Sequence, residues 1–149
     1  MIWIKSKMTT LKRAIEIATQ AHAGQVDKAG ADYIGRPLRV MVKGETVDEK
    51  IAGVLHDVVE DTDWTFEMLE EEGLSSEVVE ALRSVTKLSA AESYDDFIDR
   101  VLTNQLAMRV KLHDLEDNMD LARLDELTDA DSRGIRNTRK LATVQCLRI

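Results

Sequence analysis

The sequence predicts an all-α fold, a single helical bundle closed by a C-terminal helix. Three observations point there. Proline occurs once, at Pro37, and glycine only seven times, so the punctuation of a turn-rich β fold is missing. Apolar residues recur at three- and four-residue spacing along most of the chain, the helical period. Ser and Thr stand immediately ahead of several of these stretches, where a helix start needs a side-chain acceptor. With 149 residues the chain has the size of one ordinary domain. Residues 1–8 read as an N-terminal extension and 9–149 as the domain. Met8 is an alternative start to Met1. Aromatic residues make up 4%, so Leu, Ile, Val, Ala and Met must fill the core.

Thr10 caps a first helix to about Ala23, with Leu11, Ala14, Ile15, Ala18, Ala21 and His22 on one face. Gly24 ends it, and residues 24–35 read as a loop. Arg36-Pro37 begins a short second helix with Pro37 at its first position, and Gly44 stops it. Asp48 opens a third helix through about Glu60. Ile51, Ala52, Val54, Leu55, Val58 and Val59 make it apolar nearly all round, so it should be central and buried. Thr65 starts a short fourth helix closed by Gly73, and Ser75 caps a fifth with Val78, Val79, Leu82 and Val85 inward. Ser93 and Asp96 resemble a capping box ahead of a helix burying Tyr94, Phe97, Ile98 and Val101. A long helix from Leu106 to about Arg123 carries two stripes. Met108, Leu112, Leu115, Met119 and Ala122 form an apolar one. Ala107, Val110, Lys111, Asp114, Asp117, Asn118 and Leu121 form a mixed one. Thr128 with Asp131 caps a final helix.

The net charge of −8 argues against binding nucleic acid or anionic membranes, both of which need a basic face. A phosphorylated small molecule remains compatible, because a metal or a few local cations can offset the acidic surroundings. Cys146 is the single cysteine and cannot form an internal disulfide, which suits a reducing cytoplasm. The apolar start Met1-Ile2-Trp3-Ile4 is too short for a signal core or a membrane span.

Chemistry concentrates in His56-Asp57-Val58-Val59-Glu60-Asp61. A buried helix rarely carries an adjacent His and Asp, since an unpaired buried carboxylate is costly. Imidazole and carboxylate are suitable ligands for a divalent transition ion. Glu60 and Asp61, three and four residues on, would share a helical face with Asp57 and could orient or deprotonate a bound water. Asp114, Asp117 and Asn118 supply a second polar stripe. The bland alternative is that His56 and Asp57 merely cap or bridge a neighbouring helix.

This constellation resembles the HD-domain phosphohydrolases, and within them the hydrolase domain of Rel/Spo-type enzymes and small alarmone hydrolases. The matching segments are Ala21-His22-Ala23-Gly24-Gln25, Lys28-Ala29-Gly30, Asp32-Tyr33-Ile34, Pro37-Leu38-Arg39-Val40, Leu55-His56-Asp57-Val58-Val59-Glu60-Asp61-Thr62 and Val110-Lys111-Leu112-His113-Asp114, with Asn118. The resemblance covers roughly residues 11–124 and places the site within 22–118. It implies removal of the 3′-pyrophosphate of ppGpp and an Mn²⁺ held by two His and two Asp. Three of those ligands carry over: His56, Asp57 and Asp114. Glu60 and Asp61 match the acidic pair associated with water activation. Lys28, Tyr33 and Asn118 match positions lining the nucleotide pocket, and Arg39 is a further cation for phosphate. A homodimer would suit such a core, although no surface patch in the sequence establishes one.

Two departures stand out. The residue just before the proline, the family's first metal-binding His, is Arg36 here, and a guanidinium cannot ligate a metal. Either Arg36 swings away and water fills the position, or it lies between Asp57 and Asp114 and replaces the ion's charge. Asp27 stands where alarmone hydrolases often have an arginine, which bears on guanine recognition. His113 is a candidate substitute ligand, against the reading that a neighbour of a helical ligand points elsewhere. His22 is either a satisfied core histidine or a partner orienting the site. Lys111 is a partner for nearby carboxylates or a phosphate contact.

The leading expectation is therefore a metal-dependent phosphohydrolase of a guanosine polyphosphate. Beside it stand a catalytically degenerate HD protein that binds a nucleotide or a partner, motivated by Arg36, and a hydrolase of a dNTP or another phosphate ester, motivated by Asp27.

Overall fold

The computed structural model describes residues 10–27, 30–87 and 89–118. Helices joined by turns and loops make up these residues, with one isolated antiparallel bridge between Val26 and Asp32 in the first loop. Eight helices follow one another among them: α1 (Leu11–Ala21), α2 (Gly35–Lys43), α3 (Val47–Leu55), α4 (Val58–Asp61), α5 (Phe66–Glu71), α6 (Ser76–Val85), α7 (Tyr94–Val101) and α8 (Gln105–Asn118). The expected N-terminal extension, the continuation of α8 and the final helix lie outside the described residues.

The caps read from the sequence are in place. Thr10, Thr65, Ser75 and Ser93 each accept a hydrogen bond from the backbone N–H three residues on, satisfying one of the orphan donors of a helix start. Gly73, which closes α5, has φ +93°, a left-handed conformation that costs glycine little.

Three boundaries differ from expectation. The third helix starts at Val47, not Asp48, because Thr46 and Glu49 form a full capping box. The second starts at Gly35, so Pro37 is its third residue. That position is still in the first turn, where a missing N–H costs nothing. Most important for function, the expected helix 48–60 is two. His56 and Asp57 form a turn between α3 and α4, with Asp57 at φ −104° and ψ −1°.

The core gathers around α3, whose Ile51, Ala52, Val54 and Leu55 are buried, as is Val58 at the start of α4. Ala14, Ile17 and Ala18 of α1 and Val40 of α2 join the same cluster. Val78, Ala81 and Leu82 of α6, Val101 of α7 and Met108, Val110 and Leu115 of α8 complete it. Gly53 allows α2 to lie close against α3, since a Cβ there would stand 3.3 Å from the Met41 backbone and from Val40 Cγ1. Among the described residues no helix is long and apolar enough to cross a membrane.

Candidate functional site

The turn at His56–Asp57 faces α8 and the first turn of α2, and six of the expected site residues meet there: His56, Asp57, Asp114, Arg36, Lys111 and Tyr33. His56 is buried, and its Nδ1 lies 2.6 Å from the Gly53 carbonyl, which can only accept, so Nδ1 carries the proton. That fixes the ring and aims Nε2 at two carboxylates. Nε2 stands 3.1 Å from Asp57 Oδ2 and 3.3 Å from Asp114 Oδ1, pointing between them and hydrogen-bonding to neither. Burial opposes protonation of this imidazole. The adjacent Asp57 and Asp114 overcome it and push its pKa up to about 10.

Asp114 lies on the inner face of α8, as the mixed stripe implied. Arg36 Nη2 donates to its Oδ1 at 2.7 Å, and Lys111 Nζ donates to its Oδ2 at 3.0 Å. Burial works against ionising Asp114, but Lys111, His56 and Arg36 hold its pKa well below the usual carboxylate range. Lys111 is half-buried beside the site, 5.4 Å from the centre of the Phe97 ring and 6.0 Å from that of Tyr94. Asp114 and nearby Tyr94 and Asp57 keep it charged there despite burial.

Asp57 receives the hydroxyl hydrogen bond of Tyr33 on Oδ2. Burial and the negative Asp57 push the Tyr33 phenol far above its ordinary value, so it stays a donor. Tyr33, expected in a nucleotide pocket, thus has its hydroxyl on a carboxylate of the cluster. Its ring also packs against buried His22, at a centroid distance of 4.9 Å. His22 Nδ1 is 2.9 Å from Gln25 Oε1, and Gln25 Nε2 donates to the Asp61 carbonyl at 3.1 Å. This relay links α1 to the end of α4.

Glu60 and Asp61 fall on α4, beyond the turn. Glu60 Oε1 accepts from the Lys87 backbone N–H at 3.1 Å, which points this carboxylate toward the end of α6. Asp61 is exposed, and partial desolvation with the neighbouring negative charges of Asp57 and Glu60 raises its pKa. Arg39 forks onto buried Asp117, Nε–Oδ1 2.7 Å and Nη2–Oδ2 3.3 Å. Asn118 ends α8 half-buried. Lys28 lies outside the described residues. His113 faces away from the cluster, toward Glu116, Glu49 and Lys43, and its Nδ1 is buried without a hydrogen bond.

Reasoning from sequence did not find the Tyr33–Asp57 bond, the Arg39–Asp117 pair or the role of Gln25. The pairs join residues far apart in the chain, and no local pattern announces them. Glu49 could have been found from Thr46-x-x-Glu49.

Whether these residues fit a divalent ion can be judged from their partners. His56 Nε2 points between the two carboxylates, but they hold this ring protonated, and an ion would first have to displace that proton. Of the carboxylate oxygens beside this ring, both of Asp114 carry cations and Asp57 Oδ2 holds the Tyr33 hydroxyl, which leaves only Asp57 Oδ1 outside these contacts. Among the described residues no group of three His, Cys, Asp or Glu side chains is arranged to hold a metal. As they stand, the residues do not fit a resident divalent ion.

A helical bundle with a His-Asp turn set against a later Asp on a facing helix is the arrangement of an HD-type domain. The sequence places the chain with the HD domains of Rel/Spo-type proteins. It is 33% identical over 120 residues to the guanosine-3′,5′-bis(diphosphate) 3′-pyrophosphohydrolase of Aquifex aeolicus, covering 73% of this chain and 17% of that protein. It is 40% identical over 88 residues to a probable GTP pyrophosphokinase of Mycobacterium leprae, covering 56% of this chain and 11% of that one. The chain thus spans less than a fifth of the length of either relative. The solved structure of a metazoan SpoT ortholog that hydrolyses ppGpp shares the fold, with TM-score 0.72 and 21% identity over 97% of this chain and 88% of that one. No family model matches the chain.

Proposed function

We propose that the chain is a phosphohydrolase domain for a guanosine polyphosphate, of the (p)ppGpp 3′-pyrophosphohydrolase kind. The observation that carries this reading is the His56–Asp57 turn with the α4 helix that follows it. It sets His56 and Asp57 against Asp114 and leaves Asp61 exposed at the edge. The similarity to a pyrophosphohydrolase across 73% of the chain supports it. In this reading Asp61, whose raised pKa suits a proton acceptor, takes the proton of an attacking water, and Glu60 helps to position it. The water oxygen bonds to phosphorus, the bond to the 3′-oxygen breaks, and the 3′-oxygen leaves as a hydroxyl with a proton supplied by solvent, pyrophosphate being released. Asn118 and Lys28 would line the nucleotide pocket. The Mn²⁺ that the resemblance implies would first have to displace Arg36 from Asp114.

The Arg36–Asp114 pair also favours a second reading, in which the domain binds the nucleotide without turning it over. Chromatography of ppGpp incubated with the protein separates the two. Release of pyrophosphate with formation of GDP supports hydrolysis. Retained ppGpp with saturable binding supports the second reading, and neither binding nor turnover defeats both.

A further inference from the structure

The charge balance of the cluster turns on Asp114. It is 3% exposed, and each of its oxygens already holds a cation from a different helix, Arg36 from α2 and Lys111 from α8. The negative charges of the cluster are Asp57 and Asp114, and these two cations already match them before any ion enters, with the His56 ring facing both carboxylates as well. From the loop, Tyr33 contributes a neutral hydroxyl to Asp57. From α4, Asp61 stands at the edge, where water screens it. A divalent ion on His56, Asp57 and Asp114 would leave two positive charges in excess in a buried place, and unpaired buried charge is strongly disfavoured. It would also have to share Asp114 Oδ1 with a guanidinium that cannot lose its proton.

Arg36 is well held in this role. It sits in the first turn of α2, with its backbone N–H donating to the Tyr33 carbonyl at 2.9 Å, and its side chain is 21% exposed. The same loop corner therefore delivers both the phenol that holds Asp57 and the guanidinium that holds Asp114.

We infer that Arg36 is the resident cation of this site, a guanidinium standing in place of a metal, so that the chain takes up no divalent ion at the cluster. This rests on reading His56, Asp57 and Asp114 as the functional centre, but not on what that centre does to a nucleotide.

The test is Mn²⁺ uptake, read from loss of the free-ion signal in electron paramagnetic resonance on the full chain. Wild type, Arg36→His, Arg36→Gln and Asp114→Asn are compared, with folding checked by circular dichroism. Wild type should leave the free signal unchanged at micromolar concentration. Arg36→His should bind about one equivalent, because it restores a neutral nitrogen ligand and removes the competing charge. If Arg36→His does not fold, Arg36→Gln should still raise affinity by about tenfold, since the competing charge is gone. The inference is overturned if wild type binds about one equivalent that Asp114→Asn abolishes. It is equally overturned if a folded Arg36 variant binds no more than wild type. Failure of ppGpp to bind or react would defeat the proposed function and leave this result standing.

Discussion

Arg36 Nη2 lies 2.7 Å from Asp114 Oδ1, joining the first turn of α2 to the inner face of α8. Lys111 holds the other oxygen of the same carboxylate, so each cation backs up the other. Arg36→Ala is expected to cost about 2–3 kcal/mol, below the loss for a fully buried pair because Arg36 keeps some solvent contact. Lys111→Met should cost a similar amount. The double variant should lose more than the sum by about 1 kcal/mol, since only then is Asp114 left without a permanent counter-charge. Urea unfolding of the four proteins measures this, and strictly additive losses would contradict it.

Gly53→Ala tests the close approach of α2 and α3. Alanine gains about 1 kcal/mol in helix propensity. Its Cβ would stand 3.3 Å from the Met41 backbone, which cannot rotate out of the way. Net destabilisation of about 1 kcal/mol is expected. A higher melting temperature would show that the two helices can part at little cost.

Tyr33→Phe removes the hydroxyl that Asp57 accepts and leaves the ring against His22. A hydrogen bond to a charged group is worth about 2 kcal/mol, so a loss of that order is expected. The Asp57 pKa should rise, because the hydroxyl favours its ionised form. Carboxyl carbon shifts followed against pH by NMR would show the rise, and an unmoved Asp57 would contradict the assigned bond.

For the proposed hydrolysis, Asp61→Asn is expected to lower turnover of ppGpp by about 100-fold or more, the usual share of a general base. Its stability should stay close to wild type, because Gln25 holds the Asp61 backbone carbonyl and not its carboxylate. Undiminished turnover in Asp61→Asn would remove this residue from the reaction.

Much of this was legible in the sequence. Threonine and serine caps announced four helix starts, and the apolar run of 51–59 announced the central helix, because both signals are local. The turn at His56–Asp57 was not legible. No glycine or proline marks it, and both residues keep right-handed helical or nearby dihedrals, with His56 at φ −61° and ψ −27°. The apolar period runs straight across the break. The convergence of His56, Asp57 and Asp114 was readable from the His-Asp pair and the polar stripe of α8. The partners Tyr33 and Asp117 were hidden, since Tyr33 is 24 residues from Asp57 and Arg39 is 78 from Asp117. Arg36 left two outcomes open in the sequence; the structure sets its Nη2 against Asp114 Oδ1, and Mn²⁺ uptake decides between the two.

Calorimetric titration of the full chain with ppGpp, once in excess EDTA and once in Mn²⁺, addresses the account most directly. A guanidinium-balanced site predicts binding in both buffers with affinities within about twofold of each other. Binding that appears only when Mn²⁺ is supplied would contradict it.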